Sequence, residues 1–197
     1  MMRINPKIIQ VAADALIPLA GYFWWEWNLY YILLFYLLDY ISNEIFLHVK
    51  SKKIQSSQNT SPNVWIKNAI ISSFLLFLSV LCVHFAMLRI SPGIQFTDEL
   101  LHFWKYKDLG IEQGYILVPL IFLVGFQRYK MEFVGTAQFN TVKMKELWKQ
   151  HIIVHFAILA FSCTVIGLSA FIVFPEIVYI SALILASSIF QLKRVNR

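Results

Sequence analysis

Two groups of residues carry side chains whose type and spacing could do chemistry. In "FYLLDYISNEIFLHVKSKK" (residues 35–53), Asp39, Asn43, Glu44 and His48 interrupt an apolar run within fewer than three helical turns. In "HIIVH" (151–155), His151 and His155 stand four residues apart. Polar groups in apolar surroundings cost free energy unless they meet a partner, a cavity or a functional site. At about 100° per residue, Asp39 and Asn43 lie about 40° apart, and Tyr36, Tyr40 and Glu44 extend the arc, which spans about 140° from Asp39 to Glu44. Such a face is expected to point into a helical bundle or a hydrated cavity.

Two chemistries fit these residues. Counted from the "WWEW" turn, Asp14 and Asp39 are each about 18–20 Å along their helices at about 1.5 Å per residue, so they sit at similar depth. Pro18 has no N–H and frees the Asp14 carbonyl. Asp14, Asp39 and Asn43, flanked by Tyr36 and Tyr40, could hold a cation, a proton or a polar substrate. The same groups could equally be interhelical hydrogen-bond glue, with one Asp protonated. Glu44 and His48 share one helix face at the inner boundary, and His151 and His155 share another. Together they could form a Glu/His metal site, or they could be ordinary interfacial histidines. A sandwiched haem is excluded because His84 and His155 fall near opposite ends of their helices, and His102 belongs to a surface segment. Membrane di-iron enzymes use several His boxes, and this chain has one. No phosphate loop or nucleophile elbow occurs. No resident cofactor is expected.

The elements that must position these residues are legible from composition. Of 197 residues, 58% are hydrophobic and only 14% charged, against about a quarter charged in soluble domains. The apolar residues come in long blocks, which predicts an all-α, polytopic membrane protein in one domain. Six spans are expected at about 6–24, 28–48, 64–89, 113–129, 150–174 and 176–193, the first an uncleaved helix. The fourth is short and contains Pro119. It crosses only if Arg128 and Lys130 snorkel or the helix continues into "KMEFVG"; five spans are the alternative. With six, Arg89, Lys105 and Lys107 lie on one side and the other fourteen of the 17 Lys and Arg lie opposite. That asymmetry places both termini in the cytoplasm of a multi-pass inner-membrane protein. The net charge of +6 then reflects topology and lipid headgroups, with no nucleic-acid partner. All tryptophans fall at expected boundaries.

An outer surface helix is expected at about 97–109, with Asp98 and Glu99 in its first turn and Lys105 and Lys107 in its last. "SKKIQSSQNTSPN" reads as a mobile inner loop, and a helix is expected to start at Thr141 and run into the fifth span. Ala160, Cys163, Gly167 and Ala170 form a small-residue stripe suited to close helix packing. Cys82 and Cys163 read as buried small hydrophobes.

The order "IPLAG" (17–21), "FYLLDY" (35–40) and "VHFAI" (154–158) resembles an uncharacterised bacterial family of small polytopic membrane proteins. That family has a "PLAG"-like first helix, a second helix with an "LYWxEN"-like core, and a later "HxxI" histidine. The resemblance puts Asp39 on the acid position and His155 on the histidine. Leu37 replaces the Trp, Tyr40 replaces the Asn, and the basic–acidic pair of the last helix is absent. The resemblance implies the fold and a prokaryotic inner membrane, without an activity.

Small size, short loops and no complete catalytic constellation favour a non-enzymatic accessory, interaction or protective component, with the bilayer and a larger membrane complex as partners. A transporter or channel using Asp14, Asp39 and Asn43 is the alternative. A membrane enzyme at Glu44, His48, His151 and His155 is the third reading.

Overall fold

A computed structural model describes the backbone of residues 6–105, 107–108, 111–112, 114–173 and 175–195, and the side chains of 15–105, 114–173 and 175–188. Its helices are α1 (Pro6–Trp24), α2 (Leu29–Gln58), α3 (Pro62–Ile90), α4 (Phe96–Lys105), α5 (Gly114–Arg128), α6 (Met144–Ser169) and α7 (Glu176–Val195). Among the described residues the only strands are β1 (Lys107–Asp108) and β2 (Ile111–Glu112), antiparallel with Lys107 opposite Glu112. The helix expected over about 97–109 therefore ends at Lys105, and Lys107–Asp108 pairs with Ile111–Glu112 as strands. α2, α3 and α6 are long and apolar enough to cross a membrane, which marks a membrane protein. The apolar stretches Ala15–Trp24 and Glu176–Ser188 are shorter.

The chain divides into two compact units, 1–36 with 172–197, and 37–171. In the first, α1 packs on α7. The reversal after α1 is tight because Gly21 has no side chain. A Cβ there would lie 2.2 Å from the Trp27 ring, and the Trp27 amide donates to the Gly21 carbonyl at 2.9 Å. Asn28 then caps α2, its Oδ1 accepting from the Tyr31 amide at 2.9 Å.

In the second unit α3 and α6 pack closely. The buried residues of α3 include Ser72, Ser79 and Ala86, seven apart, so a line of small side chains lets α6 approach. The facing residues of α6 are Met144, Trp148, His151, His155, Ser162 and Val165, spaced by threes, fours and one seven. α2 buries Leu37, Tyr40, Glu44, Leu47, Ser51 and Ile54 at alternating steps of three and four. Each buried stripe repeats every ~3.5 residues, the period that keeps one helix face against a neighbour. α5 approaches α2 at Gly125, where a Cβ would lie 2.5 Å from the Phe46 ring and 2.8 Å from Ser42 Oγ.

α5 continues beyond Arg128 as a π turn, Tyr129–Val134. The helix thus does run on into "KMEFVG", and the 15 and 6 residues together reach about 30 Å at about 1.5 Å per residue. Ser51–Gln58, polar enough to read as loop, is the last part of α2. Ser51 and Ile54 are on the buried seam, and Lys52, Lys53, Ser56 and Ser57 face out. The Gln58 side-chain amide donates to the carbonyls of Phe139 and Val142, each at 3.0 Å, and so pins that end. Leu47, Ile54, Phe133, Met144 and Trp148 form the core there. Lys50, Lys52 and Lys53 lie over the rings of Phe133, Trp65 and Phe139 at 5.7, 4.9 and 5.1 Å. The start of α6 is later than expected, at Met144, after a turn at Gln138–Asn140 entered through Ala137 at φ 54°.

The stripe Ala160, Cys163, Gly167 and Ala170 is exposed along α6, as is the Cys163 thiol that was expected to be buried. The close helix approach in this unit is made instead by the serines of α3.

Candidate metal centre

The seams of α2, α3 and α6 bring five polar side chains to one level. α2 supplies Tyr40 and Glu44, one turn apart; α6 supplies His151 and His155, also one turn apart; α3 supplies Ser72. Glu44 is 3% exposed, His151 5%, and His155 and Ser72 0%. A carboxylate so enclosed must meet cations or donors.

The contacts divide between the two carboxylate oxygens. Oε2 is hydrogen-bonded to His151 Nε2 and lies 3.4 Å from His155 Nε2. Oε1 meets His48 Nε2 at 2.9 Å. His48 is the outermost member, with 25% of its side chain exposed and its ring edge-on to Trp148. Glu44, His151 and His155 thus each present one ligand atom, all within 4.8 Å of one another. One carboxylate and two imidazoles are the protein donor set of common zinc and non-haem iron sites.

The far side of His155 is also held. Its Nδ1 is hydrogen-bonded to the Tyr40 hydroxyl, which donates to Ser79 Oγ at 3.4 Å. A tyrosine has one proton. In the tautomer with the proton on Nδ1, the Tyr40 oxygen accepts from Nδ1–H and Nε2 presents a lone pair to Glu44; in the other, Nε2–H donates to the carboxylate. In the first tautomer two acceptors, Nε2 and a carboxylate oxygen, face each other across 3.4 Å. A cation between them relieves that opposition. The Ser72 hydroxyl also reaches Nε2, at 3.0 Å.

The expected polar face of α2 divides in two. Tyr40 and Glu44 lie on the buried seam, whereas Tyr36, Asp39 and Asn43 are half-buried beside it. Asn43 Nδ2 donates to Asp39 Oδ2 at 2.9 Å and to the Asp39 carbonyl at 2.8 Å, an intrahelical pair. Asp14 lies on α1, and its side chain is outside the described residues. His84 is engaged at the other end of α3, bonded to the Val80 carbonyl at 2.8 Å and 5.0 Å from the Phe96 ring. Sequence reasoning singled out Glu44, His48, His151 and His155, and missed Ser72 and Ser79. Two serines seven apart in an apolar helix were the available signal.

No family model, curated protein or solved structure matches this chain.

Proposed function

We propose that this chain is a multi-pass inner-membrane protein that binds one divalent transition-metal ion, of the zinc or ferrous class, through Glu44, His151 and His155. The convergence of these three buried ligand atoms within 4.8 Å carries the proposal. The donors are nitrogen and oxygen, which suits zinc or ferrous ion better than a soft cuprous ion. The ion ties α2 to α6, and with burial this complete its role is to hold a membrane component in shape. The protein then acts as an accessory or interaction partner within a larger membrane complex. The exposed small-residue stripe of α6 supports that second part.

The chain crosses the bilayer six times with both termini cytoplasmic, so the metal lies near the inner boundary. The basic asymmetry supports this, as do the lysines placed over rings at the end of α2. A reporter that fluoresces only in the cytoplasm, fused after Arg197, is expected to light up, and a dark fusion would argue for an odd number of spans.

The direct test is titration of chelator-stripped protein in mild detergent with zinc. One site per chain is expected, and no saturable binding by zinc or ferrous ion contradicts the proposal. Tyr40→Phe keeps the ring and removes the acceptor for His155 Nδ1–H. Loss of such an outer partner costs about 10–100-fold in metal affinity. A loss in that range is expected in competition with a chromophoric chelator, with elution volume unchanged. Equal affinity would show that Tyr40 does not orient the ligand.

A further inference from the structure

We infer that the centre is closed, with Ser72 Oγ as the fourth donor and His48 as a positioning residue outside the coordination shell. This rests on the metal-binding reading above.

The distances select the donors. With metal–ligand bonds of about 2.0–2.1 Å, adjacent donor atoms lie about 3.4 Å apart in a tetrahedron and about 2.9 Å apart in an octahedron. His155 Nε2 is 3.4 Å from Glu44 Oε2 and 3.0 Å from Ser72 Oγ. The first matches a tetrahedral edge; the second is a hydrogen-bond length shorter than one, so Ser72 Oγ withdraws by about 0.4 Å as it turns to the ion. The Ser72 hydroxyl touches both His155 Nε2 and the Glu44 carboxylate, two of the three ligands. An ion bound between those ligands therefore comes within reach of a hydroxyl that is 0% exposed. A hydroxyl oxygen has two lone pairs, and one of them can turn to the ion while its proton stays directed at the carboxylate.

His48 does not fill the same place. It bonds Oε1, whereas His151 and His155 converge on Oε2. An ion seated between Oε2 and the two imidazoles leaves His48 donating to the opposite oxygen. Ligating carboxylates commonly have such a partner. With Ser72 included, the ion joins α2, α3 and α6. A set of four protein donors is the pattern of structural zinc sites, whereas catalytic sites keep a position open.

Cobalt serves as the spectroscopic probe. Full-length wild type, Ser72→Cys, Ser72→Ala and His48→Ala are stripped in detergent and loaded with cobalt(II). Wild type is expected to give the intense visible bands of four-coordinate cobalt. Ser72→Cys, nearly the same size, is expected to add a thiolate-to-cobalt charge-transfer band in the near ultraviolet. Wild type already carries Cys82 and Cys163, so any band from those thiols appears in both spectra. Ser72→Ala is expected to weaken cobalt binding by at least about tenfold, and His48→Ala to weaken it while keeping the four-coordinate spectrum. Cobalt bound by Ser72→Cys without the new band, or by Ser72→Ala with wild-type affinity and spectrum, overturns the assignment of Ser72 and leaves the three-ligand site standing. A six-coordinate spectrum from His48→Ala overturns the place given to His48. Wild type that takes up no cobalt, zinc or ferrous ion overturns the metal site itself.

Discussion

Glu44→Gln is expected to abolish stoichiometric metal binding and to lower the melting temperature of the detergent-solubilised protein. Glu44 is the single anion of the centre, and its two oxygens face three imidazoles. The amide keeps the size but removes the charge, and it turns an N–H₂ donor toward a ring nitrogen that must bind the ion through its lone pair. Breaking a buried ion pair by removing one partner costs about 3–5 kcal/mol. At about 2–4 °C per kcal/mol for a chain of this size, the melting temperature should fall by about 6–20 °C. Metal content should fall from near one ion per chain to background. Wild-type metal content in Glu44→Gln would remove the carboxylate from the ligand set. Loss of metal with an unchanged melting temperature would mean that the ion does not support the fold.

The second large effect is thermal stabilisation by the ion, lost when its imidazoles are removed. A ligand that binds the folded state alone stabilises it by about 4.1 kcal/mol at a thousandfold excess over its dissociation constant. For wild type this corresponds to a rise of about 8–16 °C when zinc is added to stripped protein. His151→Ala with His155→Ala should show no rise. Those side chains make the long-range contacts to Glu44 on α2, so the ion acts as a cross-link between distant segments. An equal rise in the double variant would place the zinc elsewhere, for instance on exposed histidines such as His102.

Much of the fold was legible because it depends on local pattern. The apolar blocks that form α2, α3 and α6 are visible from composition alone, and the alternating steps of three and four from Leu37 to Ile54 mark the buried seam of α2. The same period puts His151 and His155 on one face. Polarity misled at Ser51–Gln58, where the lysines and serines cover an outer face while Ile54 anchors the inner one. The α4 boundary was misread because charge complementary to the helix dipole continues through Lys107, although the backbone there is already paired as a strand. By helical angle the polar residues of α2 form one arc. Helical angle alone does not say which neighbour each will meet, and the seam captured Tyr40 and Glu44 while Asn43 turned back onto Asp39.

The centre itself was half legible. A glutamate and three histidines near two helix ends could be grouped by chemistry. Their pairing spans more than a hundred residues of chain, from α2 to α6, and no local pattern encodes it. The seven-residue spacing of Ser72 and Ser79 is a weak signal because serine in an apolar helix commonly bonds its own backbone, as Ser51 does to the His48 carbonyl at 3.0 Å. Their role follows only from α3 lying against α6, where Ser72 meets Nε2 and Ser79 meets Tyr40.

Elemental analysis of the protein purified without metal chelators, alongside the His151→Ala, His155→Ala variant, tests the central claim most directly. The account predicts close to one zinc or iron per wild-type chain and none in the variant eluting at the same volume. Wild type free of metal that stays free after exposure to zinc and ferrous ion, or a variant carrying as much metal as wild type, would contradict it.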